Sequence, residues 1–183
     1  MSKTLNTIQT IMKVARVLAK IMFVIAIVGA VGSVFGLGAL IGLGAENLHG
    51  IIQYEGSIEG VYSACAIAIV SCVAQIVLSR LAIKYFNNEI AAGTPFTFDG
   101  AKELFRLGVI NIAVSLGASF LSALIVGILW VYFPGTDAAN VEGYASIGTG
   151  LFMMFISAIF KYGAEVASPA FEDFDEEKER IKF

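Results

Sequence analysis

Residues 21–45 read IMFVIAIVGAVGSVFGLGALIGLGA, a run without a single charge. About 20 helical residues cross a hydrocarbon core of roughly 30 Å, so this run is long enough to span a bilayer. Lys13, Arg16 and Lys20 stand before it, and Glu46 follows it. Three further apolar runs lie downstream, at about 60–83, 107–133 and 145–166. The last is the shortest, and it spans only if the helix continues past Lys161, whose aliphatic stem can snorkel to the interface. The connections differ in charge. Lys3, Lys13, Arg16 and Lys20 precede the first run, Arg80, Lys84, Lys102 and Arg106 lie between the second and third, and Lys161, Lys178, Arg180 and Lys182 close the chain. The two remaining connections carry only acids: Glu46, Glu55 and Glu59 in one, Asp137 and Glu142 in the other. Basic residues are retained on the cytoplasmic side during insertion. The sequence therefore predicts an all-α integral membrane protein of the cell membrane. It is a multi-pass four-transmembrane-helix bundle, N-in/C-in.

Composition agrees. The chain of 183 residues is 57% hydrophobic and 15% charged, which suits lipid better than water. The competing reading, a soluble all-helical core, would have to bury four long apolar runs with almost no charge in them. Net charge is −3, unevenly divided: all twelve bases fall on the inner side, and five of the fifteen acids fall on the outer side. An inner basic excess suits anionic lipid. The bases form no dense run, so direct nucleic-acid binding is not expected. The opening apolar run exceeds the short core of a cleavable signal peptide, so the first helix is expected to stay.

The division expected is a lead-in at 1–20, a four-helix domain at 21–167 and a charged tail at 168–183. In the lead-in, Asn6, Gln9, Lys13, Arg16 and Lys20 form a polar stripe at helical spacing. Either this helix lies along the inner leaflet, or the first span begins early. Gly32 with Gly36, and Gly38 with Gly42, are small-x-x-x-small steps. They serve either a homo-oligomer or packing within the same unit. Cys65 and Cys72, two turns apart on one helix, cannot bridge each other and read as small packing residues. Gln75 is expected to hydrogen-bond to a neighbouring span.

The inner connection carries the most local information. Gly93 suits a helix C-terminus, and Thr94-Pro95 blocks continuation. Thr97 is a candidate N-cap, with Asp99 in the first turn after it. Phe96, Phe98 and Phe105 can anchor the re-entry, and Lys102 and Arg106 can face phosphate. In the third span Asn111, Ser115, Ser119 and Ser122 form one polar stripe, which either lines a water-filled path with Gln75 or serves as interhelical glue. Trp130 begins an outer aromatic girdle. In the tail, Phe171, Phe174 and Ile181 share one face among charges of both signs. That segment either docks on a partner or is a solvated end.

Catalytic signatures are missing from the sequence. It has no phosphate-binding Gly-Lys-Ser/Thr loop and no paired cysteines at zinc spacing. The only histidine, His49, sits beside Glu46, too few ligands for a metal. The one carboxylate within the span bounds is Glu165, close to the inner edge, where it pairs most simply with Lys161 one turn earlier. A non-enzymatic protein without a cofactor is expected.

Gly93-Thr94-Pro95-Phe96, followed by Leu104 and Gly108, resembles the inner loop of the domain-of-unknown-function 2975 family. Phe160-Lys161-Tyr162-Gly163-Ala164-Glu165 is similar to that family's closing stretch. The chain departs from the pattern where Lys102 and Arg106 stand apart rather than paired, and in its Phe-rich tail. The resemblance implies a small bacterial four-span protein with no established reaction. It also implies a cytosolic partner of helix-turn-helix type. On that basis the leading expectation is a regulatory or partner-anchoring component acting through its cytoplasmic loop and tail. The alternative is an oligomeric transport or channel component using the polar stripe of the third span.

Overall fold

The structure, a computed structural model, describes residues 3–43, 58–93, 97–132 and 147–180, with the backbone alone for 3–5, 58–59, 132 and 167–180. Among the described residues there are four helices: α1 Lys3–Leu43, α2 Ile58–Ala92, α3 Phe98–Tyr132 and α4 Ile147–Arg180. All four are long and apolar enough to cross a membrane. The connections 44–57 and 133–146 lie outside the described residues, as do Phe96 and Ile181. Glu46, His49, Glu55, Asp137 and Glu142 fall in these connections, and Glu59 is in the first turn of α2.

The helices pack in chain order, α1 on α2, α2 on α3 and α3 on α4. Small residues set the first contact. A Cβ built on Gly29 would stand 2.9 Å from Cys72 Sγ, and one on Gly36 would stand 3.8 Å from Cys65 Sγ. The two cysteines are thus the packing residues their spacing suggested, each seated over a glycine of the antiparallel neighbour. Gly32, Gly38 and Gly42 meet nothing within 4 Å. Of the glycine steps, only Gly36 works within the chain.

The lead-in does not separate from the first span. α1 is one helix from Lys3, and its polar stripe is turned partly onto α2. Gln9 Nε2 donates to Gly93 O at 2.9 Å, and Arg16 Nη1 donates to Asn87 Oδ1 at 3.3 Å. At the other end of the same pair, Tyr62 OH donates to Leu40 O at 3.1 Å.

α3 and α4 cross at paired glycines. A Cβ on Gly108 would lie 2.7 Å from Gly150 O, and one on Gly150 would lie 2.8 Å from Gly108 O and overlap Ile112 Cγ1. Close backbone approach of this kind needs glycine on both sides. One turn or two further in, Ser157 Oγ donates to Ala101 O at 2.6 Å. These contacts fix the register. Ile147 begins level with Asn111 and Ile112, about 20 residues, or roughly 30 Å at 1.5 Å per residue, inward of Tyr132. The outer half of α3 has no α4 beside it.

The densest packing is also at the inner end. Tyr85, Leu104 and Leu107 form a buried cluster, joined by Leu81, Ala82, Phe86, Met153, Ile156 and Phe160 from three helices. The Tyr85 and Phe86 rings meet edge to face at 5.4 Å. α4 then runs on without interruption to Arg180, through Pro169, which has no N–H to offer the carbonyl of Glu165. The tail backbone is thus a continuation of α4 rather than a separate short helix.

Candidate functional site

The inner corner is built by the end of α2, the break at 94–97 and the first turns of α3. α2 ends as expected: Gly93 takes φ +77°, the left-handed conformation that glycine adopts without strain, and its N–H donates to Glu89 O at 3.2 Å. α3 starts as expected too. Gly100 N donates to Thr97 Oγ1 at 3.0 Å, the N-cap bond, and Asp99 occupies the first turn.

Glu89 is the unforeseen member. Its side chain is 2% exposed and lies against Gly100, where any Cβ would overlap Oε1. Gly100 is therefore a required glycine in a helix that would otherwise favour alanine. Oε2 of Glu89 has no hydrogen-bond partner among the described residues. Burial, and then the neighbouring Glu103 carboxylate, push the Glu89 carboxyl up from its ordinary value near 4.5 to about 7. Glu89 stands beyond Ile83, past the apolar segment of α2. The free N–H groups at the start of α3 offset part of the cost of its charge. Glu103 is held by Asn88, whose Nδ2 donates to both carboxylate oxygens at 3.0 Å. The Tyr85 hydroxyl is raised above its usual range by burial, then by Glu89 and Glu103, so it stays protonated and able to donate. Arg16 Nε is a second buried polar atom of the corner without a partner among the described residues.

The residues singled out from the sequence separate into two groups. Phe98, Lys102, Phe105 and Arg106 are all exposed on α3. Arg106 also lines a groove of about 170 Å³ with Lys84, Tyr85 and Glu103. Phe171 and Phe174 are on the helical continuation of α4, with their side chains outside the described set. Deeper in, Gln75 and Asn111 line one cleft of about 320 Å³, shared with Ser79, Thr149 and apolar residues of all four helices. Ser115 and Ser122 are buried, and Ser119 Oγ is buried without a partner among the described residues. Gln75 Nε2 donates to Ser79 Oγ at 3.4 Å, one turn along its own helix. A hydroxyl one turn away satisfies the amide locally, at no cost in interhelical geometry. Lys161 and Glu165 pair as expected, at 3.9 Å and both exposed, so the pair contributes little to stability.

Sequence reasoning missed Glu89, Gly150 and Ser157. Gly100 and Gly150 carried a signal, since glycine is a poor choice inside a helix unless something stands where its Cβ would be. Among the described residues no group of His, Cys, Asp or Glu could hold a metal ion. No protein family, curated protein or solved structure matches the chain.

Proposed function

We propose that this is a non-enzymatic, multi-pass protein of the bacterial cell membrane that holds a cytosolic regulatory partner at the inner face. One observation carries the reading: the exposed apolar surface is too tall for a bilayer. α1 exposes apolar side chains from Ile11 to Leu43, about 48 Å along its axis, against a hydrocarbon core of roughly 30 Å. The excess lies at the basic end. There Ile11, Val14, Val17 and Leu18 of α1 are exposed before Lys20, inward of the first uncharged run. Apolar surface at that level is what a protein partner covers and hydrocarbon does not.

Orientation follows from the charge partition, which favours both termini and the 94–97 break on the cytosolic side. That orientation takes four crossings, with α4 as the fourth. In the register described, α4 starts roughly 30 Å inward of the end of α3. The resemblance to the domain-of-unknown-function 2975 family supports the same reading, and it makes a small helix-turn-helix regulator the expected partner.

The test is affinity capture of the full chain from solubilised native membranes. A cytosolic protein enriched with the wild type and lost with Val14→Glu on α1 is the expected result. Equal recovery with that variant, or enrichment of no cytosolic protein, contradicts the proposal.

A second reading has its own observation. The cleft lined by Gln75, Ser79, Asn111 and Thr149 is polar within otherwise apolar helices. In an oligomer joined through Gly32 and Gly38 it could belong to a transport path. A flux unchanged by Ser115→Leu and Ser119→Leu would remove that reading.

A further inference from the structure

We propose that the groove between the inner ends of α2 and α3 binds the phosphate of an anionic phospholipid. Lys84 and Arg106, one from each helix, flank it, with Tyr85 and Glu103 between them. Both cations are exposed, and neither has an ion-pair partner among the described residues. Asn88 Nδ2 holds both oxygens of Glu103 at 3.0 Å, and with two cations against this one carboxylate the mouth keeps a net positive charge. The Arg106 guanidinium offers a forked pair of donors that matches a phosphate, and the Lys84 ammonium adds a second charge.

The rest of the groove selects for lipid over a soluble anion. Its floor is Leu81, Leu107 and Ile110, which lead from the charged mouth toward the apolar segments of the same two helices. A ligand charged at one end and hydrocarbon at the other fills both parts, whereas inorganic phosphate uses only the mouth. The volume of about 170 Å³ admits a phosphate and the start of an acyl chain, not a folded peptide. The mouth stands where α2 passes Ile83 and α3 enters its apolar run at Leu107, the height of a headgroup at the inner leaflet. Basic pockets between helices on that side suit anionic lipid. The proposal rests on the membrane placement of α2 and α3 and is independent of any protein partner.

The test uses the full chain in non-ionic detergent micelles doped with palmitoyl-oleoyl phosphatidylglycerol or with the matching phosphatidylcholine. Retained lipid is counted by native mass spectrometry. Phosphatidylglycerol should be retained in preference to phosphatidylcholine. Lys84→Gln with Arg106→Gln should cut that preference about tenfold, the size expected for loss of a charged hydrogen-bond partner. Lys13→Gln with Lys161→Gln should leave it unchanged. Should the first double variant fail to fold, the wild type still decides: rising salt should release phosphatidylglycerol and not phosphatidylcholine. Equal retention of the two lipids, a preference that survives loss of Lys84 and Arg106, or salt-insensitive retention would overturn the proposal. Displacement of the lipid by millimolar inorganic phosphate would also overturn it, by making this a soluble-phosphate site.

Discussion

Alanine substitution separates two sets of glycines by sign, those at the crossing of α3 and α4 and those on the open face of α1. At Gly150 a Cβ overlaps Ile112 Cγ1 and stands 2.8 Å from Gly108 O. At Gly108 it stands 2.7 Å from Gly150 O and 3.2 Å from Met154 N. Those neighbours include backbone, which cannot rotate away, so the helices must separate. Overpacking of this kind costs roughly 1–3 kcal/mol. Alanine returns about 1 kcal/mol through helix propensity. The net expectation is a loss of about 1 kcal/mol for each single variant. The double variant should lose less than the two losses added, since one separation relieves both clashes. At Gly32 and Gly38 nothing lies within 4 Å, so only the propensity gain remains, about 0.5–1 kcal/mol of stabilisation. Unfolding in mixed micelles, followed by helix content, measures all of these. Gly150→Ala as stabilising as Gly32→Ala would refute the crossing and the inward placement of α4 with it. Light scattering on the same samples reads the second question. A smaller particle for Gly32→Ala, with lost stability, would mean that the outward glycines join copies of the chain.

Other predictions follow from the corner and from the α3/α4 register. Between pH 4.5 and about 7 folded Glu89 keeps a proton that the unfolded chain has lost, so stability falls as pH rises through that window. The fall is at most about 3 kcal/mol, and Glu89→Gln should abolish it; an unchanged pH slope in the variant would show that another group titrates. Thr97→Ala removes the cap of α3 and should cost about 1 kcal/mol, seen as faster proteolysis at 94–97 in inverted vesicles, whereas an unaltered cleavage rate would mean the cap does not hold the corner. In membranes, Ala101→Cys should cross-link to Ser157→Cys; a register with α4 moved outward to match α3 would instead join Ser157→Cys to Ser122→Cys.

Much of this was readable from residue types. Four helices follow from four long apolar runs, because a helix satisfies the backbone of such a run within itself in lipid. Gly93 and Thr97 announced their roles, since a left-handed C-terminus and an N-cap are local demands met by particular side chains. What stayed hidden depends on contacts across the fold. Glu89 reads as one more inner-face acid until α3 folds back and buries it against Gly100. The lead-in stripe reads as the polar face of a helix at the inner leaflet until Gln9 and Arg16 find the end of α2. Asn111 and Gln75 were grouped correctly as polar intruders, but their distance depends on helix register, which an apolar run does not encode. The position of α4 along α3 turns on Gly150, which local sequence does not distinguish from Gly148.

The orientation of the chain is the claim on which the partner reading stands, and thiol labelling tests it most directly. In a background with Cys65 and Cys72 replaced by alanine, single cysteines are introduced at Asn47, Asn88, Ala138 and Asp175. An impermeant maleimide is then applied to intact cells and to permeabilised ones. Asn47→Cys and Ala138→Cys should label in intact cells, and Asn88→Cys and Asp175→Cys only after permeabilisation. Labelling of Asn88→Cys in intact cells would put the corner, its buried glutamate and the groove between Lys84 and Arg106 on the outer face, and would contradict the account.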